Sequence, residues 1–291
     1  MDEIKVSICV LSYNHEKYLR DCLDGIVMQK TTFSIEAWVH DDASTDSSSA
    51  IIKEYQERYP DIIKPILQTE NQYSKGGGIL AKFVYPRCVG AYIALCEGDD
   101  YWTDPLKLQK QVDFMEAHED YSLCFTNSIV KRQGKDVKAI NAVWDTYSIE
   151  DIISTNALNM SQRGDHVTSC GHTSTLLYRV PKKPLPGWIS KCFIGDEPLF
   201  IALGQFGKAK FLDEVMSVYR EGVGVSSNNF SFENDWRNRI KMYQIINKGL
   251  NNKYSKIINP IIKEYKLKVF KLLWKNARKR EAICFAIKAI R

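Results

Sequence analysis

The chain has 291 residues, of which 44% are hydrophobic and 26% charged, a composition typical of a folded protein and not of a disordered or fibrous one. No apolar run approaches the roughly 18 to 20 residues that cross a bilayer, and the first ten residues lack the basic and apolar regions of a signal peptide. We therefore expect a cytoplasmic protein. The eight cysteines show no spacing typical of metal ligands, so buried free thiols are expected.

Charge is distributed unevenly along the chain. Residues 256–291 contain 11 Lys and Arg against two Glu, a net charge of +9, whereas the first 255 residues carry a net charge of −4. A basic surface that attracts an anionic partner is therefore expected only in the C-terminal segment.

The first 128 residues alternate short β-rich runs with helical patterns, an order typical of parallel strands joined by crossover helices. A helix capped by Asn14 is expected to run to about Gln29. Further helices are expected after STDSSS, over 79–85, and from Pro105 with Thr103 or Asp104 as its cap. The predicted strands cover residues 6–12, 35–40, 63–68, 92–96 and 122–127.

The second half of the chain is less regular. Ser148 and Asp151 resemble a capping box at the start of a helix, and a further helix is expected to begin near Pro198. Beyond residue 231 helical patterns run to the end of the sequence. The other predicted elements of this half are a strand at 172–179, the helix at 195–207, a strand at 215–220 and a loop at 221–231.

Acidic side chains follow two of the predicted strands, in VHDD and in CEGDDYW. Ligands of open α/β sheets bind beyond the carboxyl ends of the strands, so these side chains are expected in one crevice. Its predicted members are Tyr13, Asp41, Asp42, Glu97 and Asp99. Neighbouring carboxylates repel unless they share a proton or a cation, and Mg²⁺ or Mn²⁺ would hold them ionised beside phosphate oxygens. The alternative is a solvated acidic turn that caps the next helix.

Three stretches, SICVLSYNHEKYL, VHDDASTDSS and AYIALCEGDDYW, resemble the nucleotide-binding half of family 2 glycosyltransferases. The resemblance is close over residues 4–128 and weaker to about 230. It implies a GT-A fold, an α/β domain over 1–230 whose mostly parallel sheet is flanked by helices, with a donor half (1–128) and an acceptor half (129–230). Residues 231–291 would form a basic helical extension.

The resemblance also implies an activity and its partners. The protein would be a metal-dependent, inverting glycosyltransferase that moves a sugar from a nucleotide-sugar, usually a UDP-sugar, to a hydroxyl of a glycan or lipid-linked oligosaccharide. Mn²⁺ or Mg²⁺ would be its cofactor. It would work in the cytoplasm, in peripheral contact with the inner face of the cell membrane.

The same resemblance implies roles for individual residues. Tyr13 would lie near the uracil, and Asp41 or Asp42 would hydrogen-bond the base or ribose. EGDD stands where the family has its Asp-x-Asp motif. Glu97, in place of the usual Asp, would then face the ribose or metal, and Asp99 would bind the metal and diphosphate. Asp100 would support the site. Apart from the resemblance, the aromatic rings of Tyr101 and Trp102 offer faces on which a sugar or base could lie.

Inversion by direct displacement needs a carboxylate that takes the proton of the acceptor hydroxyl. The resemblance points to Asp196 in GDEPLF, with Glu197 as the alternative; helix capping is the other interpretation of Asp196. Family members often have a histidine shortly after a Tyr-Arg pair. Here none lies within 221–229, after Tyr219 and Arg220. His172 could instead approach the acceptor or be a structural residue.

The C-terminal segment contains a basic amphipathic pattern. Apolar residues fall on one helical stripe, and lysines occupy the other faces. Such a helix can lie on an anionic membrane through Phe270 and Trp274, or its stripe can pack on the rest of the protein. Nucleic-acid binding is not expected, since no nucleic-acid module accompanies the segment. The stripe consists of Ile262, Tyr265, Val269, Leu272 and Leu273.

Two other functional classes remain open at the level of sequence. A sugar nucleotidyltransferase also gathers acids around a metal, but it should have a glycine-rich basic loop after the first strand, and SYNHEKYL has neither feature. The other class is a nucleotide- or carbohydrate-binding protein of the same fold without turnover. Activity that depends on Asp99 and Asp196 distinguishes an enzyme from such a binder.

Overall fold

The computed structural model describes residues 3–76, 78–132, 135–138, 144–159, 171–223 and 231–290, and every statement below refers to them. Most of the predicted loop at 221–231 lies outside this part of the chain. The described residues divide into two compact units. The sheet unit contains those up to Pro184 together with 203–223. The helical unit contains Leu185–Ala202 together with 231–290.

The sheet unit is built on ten strands. The first four strands of the chain lie side by side in the sheet and are parallel. The strands are β1 (Ile4–Ser12), β2 (Ser34–Asp41), β3 (Ile63–Leu67), β4 (Tyr92–Glu97), β5 (Tyr101–Trp102), β6 (Tyr121–Arg132), β7 (Lys135–Lys138), β8 (Thr146–Tyr147), β9 (Leu176–Arg179) and β10 (Lys208–Arg220). Their order is β3-β2-β1-β4-β9-β6-β10-β5, with β7 beside β6 and β8 beside β10.

Eight helices accompany these strands in the described residues. They are α1 (Leu19–Val27), α2 (Ser48–Arg58), α3 (Lys107–Ala117), α4 (Ile149–Asn159), α5 (Asp196–Leu203), α6 (Phe232–Gly249), α7 (Ser255–Lys275) and α8 (Lys279–Ile290). Over the predicted helix at 79–85 the chain forms a single π-helical turn, Leu80–Val84, followed by a 3₁₀ turn at Tyr85–Arg87.

The first four strands confirm the predicted parallel arrangement, and the rest of the sheet is mixed. β3, β2, β1 and β4 pair in parallel. β9 then lies antiparallel between β4 and β6, and β10 pairs with β6 in parallel. Because β1 and β4 have neighbours on both sides and helices cover the sheet, their residues form continuous buried runs. The result is a mixed α/β sheet flanked by helices.

Helix α1 begins later than the sequence predicts. Asn14 was expected to cap it, but the helix starts at Leu19 and ends at Val27. Asn14 adopts a left-handed conformation with φ of 55°, and its Oδ1 accepts a hydrogen bond from the main-chain N–H of Thr45 at 2.8 Å. Asparagine tolerates this conformation because its short amide can bond locally. Asn14 therefore ties the loop after β1 to the loop after β2.

Some predictions in the second half are confirmed and others need correction. The capping box forms, since Ser148 Oγ accepts from the Asp151 N–H at 3.2 Å and Asp151 accepts from the Ser148 N–H at 2.9 Å. The predicted strand at 172–179 is instead a 3₁₀ turn, Thr173–Thr175, followed by β9. The predicted strand at 215–220 is the end of the longer β10, and the helix expected at 195–207 is shorter.

The apolar stripe of α7 is buried within the helical unit. Ile262, Tyr265, Val269 and Leu273 are each at most 8% exposed, as is Ile258 one turn earlier. The rings of Tyr265 and Tyr243 on α6 stack with centroids 6.2 Å apart. The stripe therefore packs against other helices, which confirms the packing alternative for these residues. No described helix is both long enough and apolar enough to cross a membrane.

One buried lysine lies in the core beside Trp102. Lys107 in α3 is fully buried; its Nζ donates to Gln111 Oε1 at 2.7 Å and lies 4.5 Å from the centroid of the Trp102 ring. Gln111 in turn donates to the carbonyls of Cys124 and Thr175. Burial lowers the pKa of Lys107 to about 7.

Burial of Lys107 predicts a pH-dependent stability. Below pH 7 the lysine is charged in both states and the cost of burying it is fully present. Between pH 7 and about 10.5 the unfolded chain binds the extra proton, so the free energy of unfolding should rise with pH, by up to about 1.4 kcal/mol per unit. Urea unfolding from pH 7 to 10 should show the wild type gaining stability relative to Lys107→Met at this slope; the comparison cancels the buried thiols, whose raised pKa values act in the opposite direction. The exposed Lys53→Met is the control, and an unchanged slope in Lys107→Met would contradict the assignment.

Candidate active site

The carboxyl ends of β1, β2 and β4 meet at one edge of the sheet. Ser12 pairs with Asp41, and Leu11 pairs with Glu97, so the ends of the three strands are in register. The segment 97–100, which contains Glu97, Asp99 and Asp100, is called the acidic turn. Its Gly98 N–H donates to the Leu11 carbonyl at 2.8 Å, which ties the turn to the end of β1. The structure therefore brings together the strand-end residues that the sequence predicts to converge.

A histidine that the sequence analysis did not select lies against this turn. The main-chain N–H of His15 donates to Ser48 Oγ at 2.9 Å, and its Nε2 lies 3.9 Å from Asp99 Oδ2. A Cβ on Gly98 would stand 2.8 Å from His15 Nδ1, so only glycine allows this approach. Burial lowers the pKa of His15, while Asp99 opposes that shift. The only signal in the sequence is its place two residues after Tyr13.

Two of the three acids of the turn are buried together. Asp99 is 6% and Asp100 1% exposed, whereas Glu97 is exposed. Burial raises the pKa of Asp100 well above its ordinary value, and the charges of Asp99 and Glu97 raise it further. The main-chain N–H of Arg220 donates to Asp100 at 3.0 Å and opposes the shift. Asp100 therefore binds a proton more readily than an exposed aspartate does.

Arg220, at the end of β10, holds the acidic turn in place. Its Nη1 donates to the Asp99 carbonyl at 2.7 Å, and its Nη2 pairs with Asp21 in the first turn of α1. The guanidinium carbon lies 4.5 Å from the ring centroid of Tyr101 and 5.0 Å from that of Tyr18. One side chain therefore joins β10, the turn and α1. The Tyr-Arg pair in the sequence does not by itself indicate this role.

Asp41 and Asp42 shape the loops beside the crevice. The Asp41 carboxylate accepts from the main-chain N–H of Ser44 at 3.0 Å and from its hydroxyl at 2.5 Å. The Asp42 carboxylate accepts from the main-chain N–H groups of Gln72 and Tyr73 at 2.8 and 3.0 Å. Both acids are buried, and each carboxylate keeps acceptor capacity beyond these bonds. Tyr13, after β1, is half-buried.

Trp102 is placed differently from the sequence-based expectation. Its side chain is in the core, 2% exposed, with the indole N–H bonded to the Ser174 carbonyl at 2.8 Å and Lys107 over its ring. Gly25 of α1 packs directly on its backbone. Trp102 therefore offers no open ring face, because α1, α3 and β10 enclose the short strand β5. Tyr101 remains half-buried under Arg220.

His172 lies on the Tyr-Arg pair. Its imidazole stacks on the Tyr219 ring with centroids 4.0 Å apart and planes 6° apart. Burial lowers the pKa of His172 to about 4, so the ring is neutral at physiological pH. Burial and the nearby acids, Asp100 foremost, raise the pKa of Tyr219. The ring packing supports a structural role for His172.

The two acids at the start of α5 belong to the helical unit and differ sharply in environment. Asp196 is exposed, and its Oδ1 accepts from the Glu197 N–H at 2.8 Å. Glu197 is 7% exposed; its carboxylate accepts from Arg239 Nη1 at 2.7 Å and from the Tyr243 hydroxyl. Only Asp196 keeps its carboxylate at the surface, so of the two it is the acid that solvent or a substrate reaches.

The acidic turn has the chemistry of a divalent cation site that substrate completes. No group of three or more potential ligands in the described residues is arranged to hold a metal by protein side chains alone. Mg²⁺ and Mn²⁺, however, commonly take one or two carboxylates and fill their remaining positions with water and substrate phosphates. Glu97 and Asp99, two residues apart, supply carboxylates of that kind.

Comparison with known proteins identifies the class that this fold and site define. The model of glycosyl transferase family 2 matches residues 7–181. The chain therefore belongs to glycosyl transferase family 2. A curated relative, an uncharacterised protein of Mycobacterium tuberculosis, is 35% identical over 227 residues, 74% of this chain and 58% of that protein. The chain thus spans less than two thirds of the length of the relatives it matches first.

Two solved structures share the fold at low sequence identity. S. aureus TarS 1-349 in complex with UDP-GlcNAc superposes with a TM-score of 0.63 at 18% identity, over 90% of this chain and 71% of that one. The mannosyltransferase PcManGT of Pyrobaculum calidifontis, in complex with GDP-Man and Mn²⁺, gives 0.53 at 14% identity, over 99% and 87%. These likenesses support the GT-A fold.

Proposed function

We propose that this protein transfers a sugar from a nucleotide-sugar, with a UDP-sugar the first candidate, to a hydroxyl group of a glycan or lipid-linked oligosaccharide. The observation that carries the proposal is the acidic turn at the joint end of β1, β2 and β4, with Asp99 and Asp100 buried beside Glu97. Family membership and the neighbours in complex with UDP-GlcNAc and with GDP-Man and Mn²⁺ support it.

In this proposal the crevice binds the nucleotide by residues of three loops. Tyr13 lies against the base, and the loops held by Asp41 and Asp42 form the edge that meets the base and ribose. Asp99 and Glu97 would hold Mn²⁺ or Mg²⁺. When bound, that ion would act as a Lewis acid and stabilise the negative charge of the departing diphosphate. Asp100 and Arg220 keep the turn in the geometry that presents Asp99.

The proposed reaction inverts the sugar carbon by direct displacement. Asp196 accepts the proton of the attacking hydroxyl, since its carboxylate is exposed while that of Glu197 is occupied by Arg239 and Tyr243. The acceptor hydroxyl attacks the sugar carbon while the bond between that carbon and the diphosphate oxygen breaks. The nucleoside diphosphate leaves with the electron pair of that bond.

A nucleotide-sugar screen tests the proposal. Thermal stabilisation should appear with UDP or another nucleoside diphosphate when Mn²⁺ is present and should weaken without the ion, because a ligand that binds only the folded state stabilises it. The stabilising donor should then release its nucleoside diphosphate when an acceptor is added. Absence of a thermal shift with every nucleotide, with and without Mn²⁺, would reject the proposal.

We also propose that the helical unit contacts an anionic membrane surface. The buried stripe of α7 is not the contact face. Four apolar side chains of α7 and α8 are exposed at 46 to 52% of their surface, and exposed basic residues lie between them in the sequence. Such a mixed surface suits anionic lipid headgroups. The apolar residues are Leu267, Trp274, Ile283 and Ile287, and the basic ones are Lys263, Lys271, Lys275, Arg278, Lys279 and Arg280.

Charge reversal tests the membrane proposal. Lys271→Glu/Lys275→Glu should weaken binding to phosphatidylglycerol vesicles at least tenfold, since each basic residue near the surface contributes about 1 kcal/mol. Co-sedimentation measures the effect. Lys53→Glu/Lys183→Glu, in the sheet unit, changes the net charge equally and should bind as the wild type does. Equal loss in both double variants, or no binding by the wild type, would contradict a specific contact.

A further inference from the structure

The start of α5 is held by a buried polar cluster of the helical unit. Glu197 receives one hydrogen bond on each carboxylate oxygen, from Arg239 on Oε2 and from Tyr243 on Oε1. Arg239 Nε also donates to Asp235 Oδ2 at 3.1 Å. The Glu197 and Arg239 side chains are 9% and 8% exposed. Arg239 and Tyr243 are four residues apart on α6, so both point from one face of that helix.

Burying the charged groups of this cluster costs free energy, and the hydrogen bonds between them are directional. Burial alone would lower the pKa of the Arg239 guanidinium, but Glu197, Tyr265 and Asp235 raise it above its ordinary value, so Arg239 stays charged. A buried ion pair contributes little net stability compared with apolar packing, because both charges lose their hydration. What two hydrogen bonds on one carboxylate do supply is a fixed orientation of Glu197 and of the backbone that carries it.

Glu197 is the residue after Asp196, and Asp196 Oδ1 is bonded to the Glu197 N–H. The main-chain N–H of Glu197 therefore holds one oxygen of the Asp196 carboxylate. We propose that Arg239 and Tyr243 are positioning residues, which hold Glu197 and so fix the first turn of α5 with Asp196 at its surface. This inference rests on the proposed function, in which Asp196 takes the acceptor proton. A displacement of about 1 Å can reduce a reaction rate about 100-fold.

Helix α6 then affects catalysis, because two of its side chains hold the start of α5. In Arg239→Met, kcat should fall about 10- to 100-fold. The KM for the donor and the affinity for UDP with Mn²⁺ should stay within about twofold of the wild type, because the nucleotide residues lie in the sheet unit. Tyr243→Phe removes a single hydroxyl and should show the same pattern more weakly, in case Arg239→Met folds poorly.

Two control variants separate positioning from general destabilisation. Arg237→Met lies on the same helix and removes ion pairs with Glu233 and Glu281, none of which involves α5. It should leave kcat unchanged. Val269→Ala removes buried apolar contacts of α7 and leaves Glu197, Arg239 and Tyr243 unchanged in sequence. It should lower the melting temperature with little change in kcat at a temperature where the variant is folded.

Hydrogen exchange tests whether Arg239 and Tyr243 anchor the first turn of α5, and it does not rely on turnover. The amides of residues 197, 199 and 200 should exchange faster in Arg239→Met and Tyr243→Phe, and at the wild-type rate in Arg237→Met. Unchanged exchange in both cluster variants would overturn the anchoring. Faster exchange with unchanged kcat, or an equal loss of kcat in Val269→Ala, would overturn the positioning role. A wild type without transferase activity would reject the proposed function and with it the catalytic role, while the exchange data would still decide on the anchor.

Discussion

Asp99→Ala is expected to lower kcat/KM for the donor about 1,000-fold or more. The substitution removes the buried carboxylate that we propose for the cation, and with it the electrostatic stabilisation of the leaving diphosphate. The affinity for UDP should fall when Mn²⁺ is present and change little in its absence. Donor turnover at saturating Mn²⁺ and calorimetric titration with UDP measure the two effects.

The acidic turn should tolerate this substitution structurally. Removing the Asp99 charge relieves repulsion on Asp100, whose pKa Asp99 raises, so the melting temperature should not fall substantially. Asp61→Ala, an exposed acid before β3, is the matched control and should retain wild-type kinetics. If Asp99→Ala kept Mn²⁺-dependent UDP binding at wild-type strength, the cation would have to lie elsewhere.

Asp196→Asn is expected to lower kcat by about 100- to 10,000-fold, the usual contribution of a general base. The amide is nearly isosteric and can still accept the hydrogen bond from the Glu197 N–H, so α5 should keep its first turn. Affinity for UDP with Mn²⁺ should stay unchanged, in contrast to Asp99→Ala. Single-turnover kinetics with saturating donor and acceptor would isolate the chemical step.

A control in the same unit is available for Asp196. Glu264 on α7 is exposed and pairs only at the surface with Lys268, so Glu264→Gln makes the same change from acid to amide away from α5. It should leave kcat as in the wild type. A kcat for Asp196→Asn within about threefold of the wild type would show that another group takes the proton.

The first half of the fold follows closely from local patterns. Buried parallel strands appear as continuous apolar runs, and the chain from Ile4 to Glu97 contains β1, β2, β3 and β4 near their predicted bounds. Since parallel strands end at one edge, the acids after β2 and β4 could be placed together. Helix α1 begins later than its pattern predicts because Asn14 bonds across to Thr45 instead of capping a helix.

The second half depended on pairings between distant parts of the chain. β9 enters the sheet between β4 and β6, and no apolar pattern in LLYR specifies that position. Trp102 was expected to face the crevice, yet α1, α3 and β10 enclose it. A local pattern states how apolar a segment is, but the partner that covers it is decided by packing.

The sequence by itself determined the class of fold, the acids at the strand ends and the basic C-terminal segment, because these are set by residue type and by alternation within short segments. Only the tertiary structure decided which acid at the start of α5 is exposed, and that Arg220 clamps the acidic turn. Glu197 and Arg239 are 42 residues apart, and Arg220 lies 121 residues from Asp99. Hydrogen bonds and ion pairs over such separations depend on how whole elements pack, which no local pattern encodes.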